Sequence, residues 1–180
     1  MYAIITTILL LILVILVLFL IIIFLSSIYA NWQTAPWVPT PLHDVKRLLK
    51  LADIKPGQKV YDLGCGDGRL IVAAAQKGAI AEGFEISFLP YLLSKIRLSF
   101  QKNTINARIR YKDFWQSNLN DADIVYFYLM PKIYPKLQRK FESELKKGTK
   151  VISYVWPMDG WQPISVDIEK GRPNLYLYQI

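Results

Sequence analysis

The chain has 180 residues, with 22 Lys+Arg against 14 Asp+Glu and a formal charge of +8 at pH 7. No charged side chain precedes Asp44, and the first 30 residues are apolar apart from Thr6, Thr7, Ser26 and Ser27. A disordered chain and a many-span transporter are thereby excluded, leaving one globular domain behind an apolar segment. A single cysteine excludes an internal disulfide framework and a multi-cysteine zinc site, and no metal is expected.

The run from Ala3 to Leu25 predicts a helix long enough to cross a bilayer. A cleaved signal peptide fits less well, because no Lys or Arg precedes the run and the run is too long. Residues 1–29 are therefore read as a membrane anchor and 30–180 as the catalytic domain, with Ser26 to Pro39 as a short connection. Lys46, Arg47 and Lys50 follow the run, which places the domain on the cytoplasmic side of a single-pass protein. Tyr29, Trp32 and Trp37 have the character of an interfacial aromatic belt.

Thr40-Pro41 reads as an N-cap with proline at the first helical position. Leu42, Val45, Leu48, Leu49 and Ala52 then make one apolar stripe. Strands are predicted at Lys59–Leu63, Ile80–Phe84, Arg108–Tyr111, Ile124–Leu129 and Lys150–Val155. Helices are predicted at Arg69–Gln76, Phe88–Gln101 and Pro131–Lys147. Pro163–Glu169 and Leu175–Ile180, around Gly171, read as a closing hairpin that adds an antiparallel strand at the edge. The alternation implies an α/β, Rossmann-like doubly wound sheet of seven strands, mostly parallel, with ligands at the strands' carboxyl ends.

Asp62-Leu63-Gly64-Cys65-Gly66-Asp67-Gly68-Arg69 lies where the first strand meets a helix. A dinucleotide fingerprint would need a small residue at Arg69, and a P-loop would need Gly-Lys-Ser/Thr. The pattern instead resembles motif I of the class I, seven-β-strand methyltransferases, which bind S-adenosylmethionine. Glu85 closes the next strand, where a carboxylate can accept both ribose hydroxyls. The resemblance assigns Asp62, Gly64, Cys65, Gly66, Gly68, Glu85, Ile86, Asp113 and Phe114 to the cofactor, with Asp113 and Phe114 at the adenine. Cys65 reads as a small loop residue without a partnering histidine, and Asp67 and Arg69 are as readily structural as ligand contacts.

Pro36 to Pro41, Lys112 to Trp115, the Pro131 segment and Trp156 to Pro163 resemble a narrower group. These are the membrane-anchored protein-lysine methyltransferases of the ATP synthase c-subunit and the adenine nucleotide translocase, with their prokaryotic relatives. That resemblance implies an active-site wall from the segment before motif I, making Trp37, Pro39 and Thr40 candidates. Tyr128 and Trp156 join Thr40 on the acceptor side, and Tyr126 reads equally well as a core aromatic. Leu129-Met130-Pro131-Lys132 replaces the Asn/Asp-Pro-Pro-aromatic signature of base methylases, so nucleic acid is not an expected partner. The expected partners are the bilayer and a membrane-protein substrate, and the basic residues read as dispersed. A lipid or amphiphile methyltransferase and a non-catalytic cofactor-binding assembly factor are the alternatives.

Overall fold

The computed structural model describes residues 2–33 and 35–180, with the backbone alone at Asn31 and Gln33. Met1 of the expected anchor and Thr34 of the expected connection lie outside the described residues. The first helix, α1, covers Tyr2–Gln33, so the stretch from Ser26 onward is helical rather than a loop. The chain resumes in extended form at Ala35 and enters helix α2 at Leu42–Ala52. Thr40 does not cap α2. Pro41 occupies that position without a side-chain bond, because the Thr40 hydroxyl faces Tyr126 instead.

Strands β1 (Lys59–Leu63), β2 (Ile80–Glu85), β3 (Ala107–Tyr111), β4 (Ile124–Phe127), β5 (Lys150–Tyr154), β6 (Ser165–Asp167) and β7 (Leu175–Gln179) form one sheet. Its order is β3-β2-β1-β4-β5-β7-β6. The first five strands are parallel and β7 runs antiparallel between β5 and β6, so the edge strand is β6 and not the terminal one. Helices α3 (Arg69–Gln76) and α4 (Phe88–Ser99) follow β1 and β2. The expected helix from Pro131 starts as a short 3-10 turn, and the α-helix α5 covers Tyr134–Glu144. Pro131 and Pro135 lack amide donors and fall in first turns, where none is required.

Strand alternation sorts the core into two layers. Val60, Ala81, Ile124, Tyr126 and Ile152 face α2, α3 and α4, with Leu48, Leu70 and Ile71 packed among them. Leu63, Phe84, Val125, Phe127 and Val151 face α5, meeting Leu137 and Phe141. The stripe read for α2 holds at Val45, Leu48 and Ala52, whereas Leu42 is exposed.

A buried ionic cluster fastens α2 to the closing hairpin. Asp44 is fully buried and accepts from Arg47 at 3.0 Å and from the Tyr154 hydroxyl at 2.7 Å. Arg47 also bonds the Asp167 carboxylate and, at 3.1 Å, the Pro173 carbonyl. Burial alone would raise the Asp44 carboxyl, yet the Tyr154 and Arg47 bonds outweigh it and hold the group low. Removing one member would strand a buried charge, so the cluster fixes the hairpin's position more than it adds net stability.

Candidate active site

The carboxyl ends of β1, β2 and β4 open into one cavity of about 720 Å³, including its solvent-open part. The glycine loop after β1 forms its floor. Gly66 has φ +54°, and a Cβ there would lie 2.6 Å from the Trp37 indole nitrogen, so glycine lets the segment before α2 close over the loop. Gly68 serves packing instead. A Cβ there would stand 2.6 Å from Ile109 and 3.1 Å from Ser94, and Gly68 does not line the cavity.

Two acidic side chains set the electrostatics. Glu85 accepts from the amides of Gly66 at 2.8 Å, Ile86 at 2.9 Å and Ser87 at 2.7 Å. Burial raises its carboxyl above the ordinary range, and these amide bonds oppose the rise. Asp62 is buried at the end of β1, and its Oδ1 has no hydrogen-bond partner. Burial first, then the charges of Glu85 and Asp67, push its carboxyl well above the usual value. Such a buried, unmatched acceptor calls for a donor or a cation from a ligand.

Asp67 and Arg69 brace the loop. Arg69 donates to Asp67 Oδ1 at 2.8 Å and Oδ2 at 2.6 Å, and to the Thr40 carbonyl at 2.6 Å. Arg97 of α4 donates to the same carboxylate at 2.7 Å. Burial would raise Asp67, but the two arginines outweigh it and lower its carboxyl. Cys65 is buried; burial, then Asp62 and Glu85, push its thiol well up, which disfavours the reactive thiolate.

Thr40, Asp62, Gly64, Cys65, Gly66, Glu85, Ile86, Phe114 and Tyr128 all line the cavity. Asp113 does not. Its carboxylate accepts from the Trp115 amide at 3.0 Å and borders an adjoining hollow with Ile86, Lys112, Ser26 and Tyr29. Trp156 also stands back from the cavity, its ring 6.0 Å from that of Tyr128. Tyr126, read equally as core, lines the cavity and shares a 3.1 Å hydrogen bond with Thr40. Trp37 and Pro39 also line the cavity. Ala30, Ala35 and Ser87 line the cavity without a sequence motif to mark them, and Lys112 does so from within the Lys112–Trp115 segment. Ala30 is 4% exposed near the end of a long apolar helix, and composition gives it no distinguishing signal.

Residues 62–165 match the family described as the ANTKMT methyltransferase domain. A protein-lysine N-methyltransferase of Saccharolobus islandicus is 34% identical over 150 residues, spanning 81% of this chain and 93% of that one. The adenine nucleotide translocase lysine N-methyltransferase of Mus musculus is 34% identical over 148 residues. There the alignment covers 81% of this chain and 63% of the mouse protein. Among solved structures, an RNA methyltransferase from Salinibacter ruber in complex with S-adenosyl-L-homocysteine superposes with a TM-score of 0.76 at 31% identity. That match covers 79% of this chain and 94% of the Salinibacter chain.

The cofactor is S-adenosylmethionine, which brings a methyl group on a sulfonium sulfur, and the site suits it. The unmatched Asp62 oxygen, the Glu85 carboxylate and the buried Phe114 ring offer an ammonium acceptor, a diol acceptor and a flat apolar wall. The chain belongs to the ANTKMT methyltransferase-domain family and is an S-adenosylmethionine-dependent methyltransferase whose relatives include named protein-lysine N-methyltransferases.

Proposed function

We propose that this enzyme is anchored in a bilayer by α1 and methylates a lysine side chain of a membrane protein, from the cytoplasmic face. The observation that carries this reading is the continuity of α1 with the site. Its apolar run from Tyr2 to Ala30 is long enough to span, and Ala30 itself lines the cavity together with Ala35 to Thr40. An acceptor lysine therefore meets the cofactor close to the end of the span, where a membrane-protein lysine beside the headgroups would lie.

Within the site, Asp62 would hold the cofactor's amino group and Glu85 its ribose hydroxyls, while Ile86 and Phe114 flank the adenine. Asp113, held by the Trp115 amide beside the neighbouring hollow, would lie outside that pocket, and Gly64, Cys65 and Gly66 leave room for the chain between. Gly68 acts by packing the loop. On the acceptor side Tyr128 forms an aromatic wall backed by Trp156, and Thr40 holds that side together through Tyr126 and Arg69.

Methyl transfer is an in-line displacement, so the protein's work is to align the amine with the methyl and exclude water. The lysine must arrive neutral, and an apolar, aromatic entrance favours loss of its proton by desolvation. Incubating full-length enzyme in native membranes with methyl-labelled cofactor should label protein at lysine. Label confined to the lipid extract would establish the amphiphile alternative, and label in RNA would sink both.

A further inference from the structure

The positive charge is concentrated in one segment rather than dispersed as expected. Residues 86–112 contain no Asp or Glu and hold Lys95, Arg97, Lys102, Arg108, Arg110 and Lys112, most of the net +8. Arg97 is paired with Asp67 and Arg110 with Glu82. Lys95, Lys102, Arg108 and Lys112 carry no ion pair among the described residues.

This segment centres on α4, which is an unusual helix for its place in the fold. Only Pro90 and Ser94 are buried; Leu89 and Leu92 are half-buried, and Ile96 is exposed beside Lys95 before the exposed Phe100. Phe100 is 82% exposed and Ile105, in the turn that follows, 94%. Apolar side chains interleaved with lysines on an outward face are costly in water and suited to an interface between headgroups and acyl chains.

The position of α4 points to the same surroundings. Phe19, within the apolar run, sets its ring edge-on to Phe88 at 5.9 Å, and Ser26 accepts from the Phe88 amide at 3.2 Å. The first turn of α4 thus lies level with the apolar run of α1. We infer that Lys95, Ile96, Phe100, Lys102 and Ile105 form a second membrane contact that docks the domain on an anionic lipid surface. This inference rests on α1 spanning the bilayer and adds what the anchor alone lacks, a fixed tilt of the active site against the membrane. Lysines meet lipid phosphates while the apolar tips enter beneath them.

The test uses the full chain in nanodiscs of phosphatidylcholine, alone or mixed with phosphatidylglycerol. Phe100→Cys, Ile105→Cys and, as a distal control, Ile168→Cys are each labelled with a fluorophore, the native Cys65 being buried. In anionic discs, quenching by lipids spin-labelled near the headgroup should be about threefold stronger at 100 and 105 than at 168. High salt, phosphatidylcholine alone, or Lys95→Glu with Lys102→Glu should bring it down towards the control. Equal quenching at all three sites in anionic discs overturns the inference, as does a response at 100 and 105 to added RNA but not to lipid. A chain that stays out of the discs overturns the anchor reading instead. The same labels, read on preformed vesicles of both compositions, then decide the second contact with the same two outcomes.

Discussion

The Arg69 guanidinium donates to the Thr40 carbonyl at 2.6 Å while it clasps both oxygens of Asp67. One side chain therefore ties the segment before α2, the cavity's roof, to the glycine loop, its floor. Hydrogen bonds from a charged donor contribute about 1.5–3 kcal/mol. Arg69→Ala should therefore weaken S-adenosylhomocysteine binding by about tenfold in calorimetry. Arg97→Ala also removes a partner of Asp67 but leaves the Thr40 tie, and its effect should be clearly smaller. Equal losses in the two variants would mean that Asp67, not the roof, is what Arg69 supports.

Much of this arrangement is written locally. Strand alternation in Lys59–Leu63 and Ile124–Phe127 and the glycines after Asp62 are short-range features, and so the sheet and the loop can be read from the sequence. The direction of individual side chains is not local. Asp113 and Trp156 stand in the right segments, yet a turn-capping bond to Trp115 and packing against Tyr128 keep them off the cavity, while Gly68 leaves room for Ile109 and Ser94. The helical extension to Gln33 escapes a composition-based boundary, because Ser26 and Ala30 acquire their meaning only from Phe88 and the site.

Asp62 gives the site a pH signature. Its carboxyl is raised in the folded protein, so the folded state holds the proton more tightly than the unfolded one. Its contribution is then fully favourable below the ordinary value of 3.8 and is lost as pH rises towards the folded value. Asp62→Asn removes that loss. Without cofactor, the variant should melt above the wild type at about pH 8, with the gap closing below about pH 4. The rise in Tm on adding S-adenosylhomocysteine should shrink in the same variant. A variant that melts lower at both pH values would show that the buried oxygen is well solvated after all.

Tyr128 separates an aromatic wall from a proton-transfer group. It packs edge-on to Tyr154 at 4.8 Å, and burial pushes its hydroxyl up, so it stays protonated at neutral pH. Tyr128→Phe should keep the rate within about threefold, whereas Tyr128→Ala should lower kcat/KM for the lysine acceptor by about tenfold, the scale of a lost cation–π contact with the positive charge that develops on the amine during transfer. Cofactor affinity should hold in both. A large loss in Tyr128→Phe, with a shifted pH profile, would assign the hydroxyl a part in the chemistry.

Ala30 tests whether helix α1 belongs to the cofactor site or merely leads into it. It is 4% exposed, lines the cavity beside Ala35 and Trp37, and follows Ser26, whose hydroxyl is bound to the Phe88 amide. Ala30→Leu would push its larger side chain into space the cofactor shares, and overfilling of this kind costs about 1–3 kcal/mol. Because the cavity can absorb the added volume when empty, Tm without cofactor should change little while the dissociation constant for S-adenosylhomocysteine rises about tenfold. Val14→Leu, on the exposed apolar run, should leave both unchanged. Unaltered affinity in Ala30→Leu would mean that the helix can withdraw from the site without cost, and that the roof is built by residues 35–40 alone.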